Sequence, residues 1–275
     1  MTPQRPPALL VLKIGGSLVS RRELLDDLDR ERVAAYAAMV AELARQAAGV
    51  PVVLVVGGGS YGHGSVRHAD PDRPADLVRL TEATARLRWA WVRALFEAGV
   101  PAVPVQVSAL AARRRGRTLS WAAQTLAAAR QDGFLPVLSG DVVLAGSGRL
   151  EVLGSDRVPR IVVDAGDPPA HRIRVAMLTD VEGLRDGGPT AALLPAIDPR
   201  RPQAAYGALW EPAAGDTTGG MRGKLDALVD LALDGVECVL LSGPAALAAP
   251  HLLLRPAGDW PPELAATRIA RPAGP

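Results

Sequence analysis

Short runs of consecutive apolar residues alternate in this chain with longer stretches whose apolar positions recur at helical spacing. That is the pattern of strands and helices in a parallel sheet covered on both faces. Residues 9–14 (LLVLKI) read as a buried strand ending in the Gly15-Gly16 turn, and 52–56 (VVLVV) as a second strand running into Gly57-Gly58-Gly59. Helical spacing over 29–48 stops at Gly49, and a long helix is predicted over 77–98. Residues 101–107 read as a strand interrupted by prolines, 118–132 as a helix, and 134–144 (FLPVLSGDVVL) as a strand holding a Ser-Gly-Asp turn. In the second half, 173–179 (IRVAMLT) reads as a strand and 180–187 as a polar turn. A short helix near 203–210 and a glycine-rich turn at 215–220 lead into an amphipathic helix over 221–234. Strands over 236–241 and 266–270 close the pattern. The Pro- and Gly-rich segment 185–202 is a candidate separator of two lobes, while 111–117 (AARRRGR) reads as a solvated basic loop or helix end, with an anion-binding patch as the alternative.

Composition narrows the class. With 275 residues and 48% apolar content, the chain has ample material for a core, which excludes a disordered or charged binding arm. A net charge of +2 argues against nucleic acid as the main partner. One cysteine excludes an intrachain disulfide, and one cysteine with four histidines argues against a dedicated zinc site. No apolar run approaches membrane-spanning length, so no membrane association and a cytoplasmic location are expected. The basic residues carry the sharper signal. Of 31, only Lys13 and Lys224 are lysine. Where positive charge is nearly always arginine, a surviving lysine marks a place where guanidinium does not substitute.

Both lysines stand beside glycine turns. The turns are Lys13-Ile14-Gly15-Gly16-Ser17, the stretch 57–64, and the segment from Asp216 through Gly219-Gly220 to Lys224. The middle one, GGGSYGHG, fits three motifs. Gly57-x-Gly59-x-x-Gly62 matches a dinucleotide fingerprint, but His63 and Gly64 interrupt the helix it requires, and Glu82 falls inside a helical pattern rather than at a strand end. Gly58-x-Ser60-x-Gly62 matches a nucleophile elbow, with Asp180 and His251 following in hydrolase order. The third reading is a loop whose backbone N–H groups bind an oxyanion. Only this reading accounts for all three turns and both lysines together. They would hold a polyphosphate beside a second anion, where phosphoryl transfer needs mainly positioning and charge neutralisation. Structural readings stand beside each assignment. A lysine after a strand can snorkel, His63 can be a turn residue, and Asp180 can cap the turn after its strand.

LKIGGS, VVGGGSYGHG, LTDVEG and DTTGGMRGK, in that order, resemble the amino acid kinase family across about residues 9–243. The resemblance implies one domain over 1–275, a three-layer αβα sandwich around an open, mainly parallel eight-stranded sheet. It also implies an acceptor site in about 9–165 and a site for ATP with Mg2+ in about 170–270. Gly62-His63-Gly64 is similar to the members that phosphorylate an existing phosphorus oxyanion. GHG, LTEAT at 80–84, GSDRVP at 154–159 and AYGALW at 205–210 look like the branch that acts on fosfomycin, as does the tail Trp260…Thr267-Arg268-Ile269. The branch that acts on isopentenyl phosphate stands next. One departure is Arg21-Arg22, where both branches usually carry a lysine.

The expected activity is therefore transfer of a γ-phosphoryl group to a small phosphonate, or alternatively to an alkyl monophosphate. Resistance, biosynthetic and salvage roles are all compatible with it, and a nucleotide-binding sensor is the non-enzymatic alternative. The resemblance places Lys13 and Lys224 on either side of the transferring group, with Asp180 organising them. Gly15, Gly16 and Ser17 would hold the β- and γ-phosphates, and Thr179, Asp180, Gly183, Gly220 and Met221 would lie along the nucleotide. Gly57, Gly58, Gly59, His63, Ser155 and Thr218 would form the acceptor site, joined by Arg22. Magnesium would be held mainly by ATP phosphates rather than by protein groups, and the family suggests a homodimer. Trp89, Trp91, Tyr61 and Trp121 are all open candidates to face the organic part of the acceptor.

Overall fold

Five of the six residues of strand β1 (Leu9–Ile14) are apolar and all six, Lys13 included, are buried, which requires cover on both faces. The computed structural model describes residues 6–21, 24, 26–46, 49–64, 73–114, 117–145, 149–188, 190–209, 220–256, 259–261 and 263–272. In it β1 sits inside a sheet with β2 (Val52–Val56), β3 (Ala102–Pro104), β6 (Leu135–Ser139), β9 (Ile173–Thr179), β10 (Ala196–Ile197), β11 (Glu237–Ser242) and β12 (Ala266–Ile269). The order of these eight strands is β10-β12-β11-β9-β1-β2-β6-β3, all parallel except that β12 and its neighbour β10 run against the rest. The chain moves from β1 to β2 on one side and later returns to β9 on the other. The carboxyl end of β1 is therefore a topological switch point, where open α/β sheets bind ligands.

Two helical layers cover the sheet. Helices α1 (Arg30–Gln46), α2 (Pro74–Glu97) and α7 (Gly243–Ala248) pack on the face reached by Leu10, Leu12 and Ile14. Helices α3 (Ala123–Gln131), α4 (Val158–Asp164), α5 (Gln203–Gly207) and α6 (Gly220–Leu233) pack on the face reached by Leu9 and Val11. Because side chains alternate along a strand, Lys13 follows Leu9 and Val11 into the α4–α6 layer. Among the described residues, no helix is long and apolar enough to cross a membrane.

The expected strands near β1, β2, β9, β11 and β12 agree with the structure to within one residue at each end. The middle of the chain differs. The helix expected over 118–132 is split: Arg117–Ser120 is strand β5, and helix α3 begins at Ala123. β5 pairs antiparallel with β4 (Ala111–Arg114), so the basic run is a hairpin and its cross-strand bonds override local helical preference. The single strand expected over 134–144 is two strands in different sheets, β6 and β7 (Asp141–Ala145), with the chain crossing at Gly140. β7 and β8 (Leu150–Leu153) complete a second sheet of order β5-β4-β7-β8.

The first two glycine turns interlock. A Cβ on Gly16 would lie 2.3 Å from the Gly59 nitrogen, and one on Gly57 would lie 2.3 Å from the Gly16 nitrogen. Gly59 adopts φ +50, and a Cβ there would meet the Ser20 hydroxyl oxygen at 2.0 Å. Ser20 ties the two turns together, accepting from the Ser60 N–H and donating to the Gly16 carbonyl oxygen, both at 3.0 Å. Gly16→Ala is expected to lower unfolding free energy by about 2–3 kcal/mol, since backbone rather than a mobile side chain must yield. Gly154→Ala, where a Cβ meets nothing within 4 Å, should stay within about 0.5 kcal/mol of wild type in the same urea titration.

Candidate active site

Lys13 is the penultimate residue of β1 and is 3% exposed, and Lys224 lies in the first turns of α6 and is 9% exposed. Between them stands Asp156, in the short 3-10 turn that opens α4. Lys13 Nζ lies 2.6 Å from Asp156 Oδ1, and Lys224 Nζ lies 3.5 Å from Asp156 Oδ2. Lys224 also donates to the Gly220 carbonyl oxygen at 3.3 Å, which bends its ammonium back over the start of α6. Burial by itself would push the Asp156 carboxyl up. The charges of Lys13 and Lys224, with the hydrogen bonds they donate, outweigh burial and hold it down at about 2. Two ammonium groups around one carboxylate leave the cluster net positive, at the carboxyl end of the central strand.

A cavity of about 550 Å³ opens from this cluster. It gathers nine expected site residues: Lys13, Gly15, Gly16, Ser17, Gly57, Gly58, Gly59, Ser155 and Lys224. Thr179, Asp180, Gly183, Gly220 and Met221 stand outside its lining. Arg22, Thr218 and the side chain of His63 lie outside the described residues; the backbone of His63 belongs to one wide helical turn, Ser60–Gly64.

Several expected roles change on contact with the geometry. The bridging carboxylate belongs to Asp156, whereas Asp180 is exposed and accepts a hydrogen bond from its neighbour Thr179 at 2.9 Å. The Gly57 N–H, expected to face the acceptor, instead donates to the Ile14 carbonyl at 2.8 Å, and that of Gly15 donates to Leu178 at 2.9 Å. These two glycines serve close backbone packing. Gly183 is likewise a packing glycine, with φ +153 and a Cβ position 2.7 Å from the Thr267 hydroxyl. Ser60 is fully buried and its hydroxyl donates to the Asp27 carbonyl, so it holds the loop and is not displayed as a nucleophile.

Sequence reasoning also missed much of the far wall. Leu80 and Thr84 of α2, Arg113 of β4, and Glu151, Val152 and Leu153 of β8 line the same cavity. None of the aromatic candidates does so: Trp91 is buried in the core, Trp121 is half exposed, and Tyr61 and Trp89 line a separate groove. Arg222 of α6 also lines the cavity, stacked over Tyr206 at 5.5 Å.

Comparison with known proteins agrees with this construction. The sequence profile of the amino acid kinase family matches residues 8–242. The chain belongs to the amino acid kinase family. It is 34% identical over 228 residues to the isopentenyl phosphate kinase of Haloferax volcanii, covering 82% of this chain and 88% of the relative. It is 28% identical over 257 residues to the isopentenyl phosphate kinase of Methanothermobacter thermautotrophicus, covering 85% of this chain and 91% of that one. Among solved structures, an isopentenyl phosphate kinase superposes with a TM-score of 0.72 at 24% identity, covering 95% of this chain and all of that one, a likeness of fold. The chain is thus a phosphotransferase of this family. The relatives named here act, by their names, on isopentenyl phosphate, and the fosfomycin branch suggested by short motifs finds no counterpart among them.

Asp156→Asn is expected to lower unfolding free energy by about 3 kcal/mol near neutral pH, because it leaves two buried ammonium groups without their counter-charge. The Asp156 carboxyl is held below its ordinary value, so its contribution is full above about pH 4 and is lost as pH falls towards about 2. Denaturant titrations of wild type and variant should therefore show a constant gap from about pH 7 to pH 5 that narrows between about pH 4 and pH 3.

Proposed function

We propose that this protein transfers the γ-phosphoryl group of ATP to the phosphate oxygen of a small alkyl monophosphate, forming a phosphoanhydride and ADP. The observation that carries this reading is the buried Lys13–Asp156–Lys224 cluster at the head of a cavity whose apolar lining is aliphatic: Leu80, Val152 and Leu153. Two ammonium groups beside glycine turns suit anionic oxygens, and an aliphatic wall suits a short hydrocarbon chain. The similarity to isopentenyl phosphate kinases supports the alkyl monophosphate over the phosphonate as acceptor.

In this reading the acceptor oxygen attacks the γ-phosphorus, the bond from γ-phosphorus to the β–γ bridging oxygen breaks, and ADP leaves with that electron pair. The second ionisation of a phosphate monoester lies near about pH 6, so the attacking oxygen is already an anion and needs no general base. Lys13 and Lys224 neutralise charge as it spreads over the transferring group, and Asp156 keeps their ammonium groups apart and aimed at the cavity. Bound Mg2+ would neutralise the β- and γ-phosphate oxygens; the Asp156 carboxylate is engaged by the two lysines, so the nucleotide itself would carry the ion. His63 and Thr218 remain proposed donors to the acceptor phosphate, and Arg22 a proposed clamp.

Lys224→Met and Lys224→Arg should each lower kcat by about a thousandfold in an ADP-release assay with isopentenyl phosphate, while each variant still unfolds in one cooperative melting transition. Near-normal turnover in either variant overturns the role given to Lys224. An acceptor panel of isopentenyl phosphate, fosfomycin and nucleoside monophosphates tests the substrate class. Turnover confined to fosfomycin would return the phosphonate reading to first place.

A further inference from the structure

Arg88 is 2% exposed, in the middle of α2, and has no part in the chemistry described above. A buried arginine is costly unless its charge is compensated and its N–H groups are used. Arg88 stands one helical turn beyond Thr84 and two beyond Leu80, so it shares the face of α2 that those two residues turn to the cavity. Its Nη1 donates to the Ser139 hydroxyl at 2.7 Å, and that hydroxyl donates to the Gly140 carbonyl oxygen at 2.9 Å. The nearby carboxylate of Asp141 offsets its charge.

These contacts converge on one corner. Ser139 ends β6 in the main sheet, Asp141 begins β7 in the second sheet, and Gly140 is the crossing between them. Gly140 presses directly on the end of β8: a Cβ there would lie 2.9 Å from both the Leu153 carbonyl oxygen and the Ser155 nitrogen. Asp141 is paired in register with Leu153. The next residues along that segment are Gly154, Ser155 and Asp156, the carboxylate that bridges the lysines. The corner is thus fastened to α2 on one side and supports the backbone that carries Asp156 on the other.

We infer that Arg88 is a positioning residue for phosphoryl transfer: through Ser139 and Gly140 it sets the place of the Leu153–Asp156 segment, and so of the carboxylate between Lys13 and Lys224. This rests on the kinase reading for its consequence in turnover, but its geometric content can be measured without turnover. The chain contains only two lysines, and both line the cavity, so amine acylation read by mass spectrometry reports on the cluster directly. In the wild type both ammonium groups are buried and held against Asp156, so displacement of that carboxylate frees them from their partner and opens them to an acylating reagent.

The experiment compares wild type with Arg88→Met, Arg88→Lys, Ser139→Ala and Leu87→Ala. Leu87 precedes Arg88 and is buried in the apolar core beneath α2, so its truncation reports destabilisation alone. Acetic anhydride labelling at about pH 7.5 should accelerate about tenfold at Lys13 and Lys224 in Arg88→Met. Ser139→Ala should give a smaller rise in the same direction and Arg88→Lys should partly restore the wild-type rate, while Leu87→Ala leaves it unchanged. With isopentenyl phosphate and ATP, Arg88→Met should lose about tenfold or more in kcat at unchanged KM for ATP. The double variant Arg88→Met/Ser139→Ala should be no worse than Arg88→Met alone, as expected for residues acting through one chain of contacts. Unchanged labelling in both Arg88→Met and Ser139→Ala, or an equal rise in Leu87→Ala, overturns the inference. Accelerated labelling in a protein that phosphorylates no acceptor supports the positioning role and instead defeats the kinase reading on which its catalytic consequence depends.

Discussion

Three side chains impose the main constraint on this fold: a carboxylate and two ammonium groups that are nearly closed off from bulk water. Charges so placed are tolerable only when each lies against its counter-charge, so Lys13, Asp156 and Lys224 must arrive together, from a strand, a 3-10 turn and a helix. The remainder of the architecture can be read as the means of delivering them. Strand alternation turns Lys13 into the α4–α6 layer, and the apolar face of α6 that buries Leu225 and Leu228 carries Lys224 inwards with it.

The same constraint explains how the glycines are used. Two turns that follow neighbouring strands must leave room above the ammonium groups, and they do so by packing backbone on backbone. Ser20 and Ser60 then lock the pair, through hydroxyls turned into the protein. A loop that looks like a display of catalytic groups is in large part a joint. What it leaves open is a pocket with the two ammonium groups at one place in its lining and Leu80, Thr84, Arg113, Glu151, Val152 and Leu153 at another.

How much of the site was legible varied with the range of the interaction that builds it. Lys13 and Lys224 stood out because lysine is rare in this chain and because glycine turns are local events with a sterically narrow sequence signature. Asp156 did not stand out, although it lies inside a segment, GSDRVP, that resembled the family. Nothing local separates it from Asp180, and only the packing of α4 beside β1 selects between them. Ser60 illustrates the converse. Its motif was consistent with a nucleophile, and its burial against the Asp27 carbonyl, a contact across 33 positions, removes that meaning. The region from 101 to 153 was read least well, because its short strands belong largely to a second sheet whose pairings are not periodic in the sequence.

The amino-acid sequence by itself determined the class of the fold, its central strands, the places where the chain must turn on glycine, and the rarity of the two lysines beside those turns. All of these follow from periodicity, residue rarity and backbone sterics, which act over a few neighbouring residues. Only the tertiary structure decided which carboxylate bridges the lysines, which glycines are packing joints, which side chains line the cavity, and that a buried arginine holds the corner beside it. Those outcomes depend on distances between segments far apart in the chain. Such distances are set when desolvated charges and close-packed backbones must all be satisfied at once.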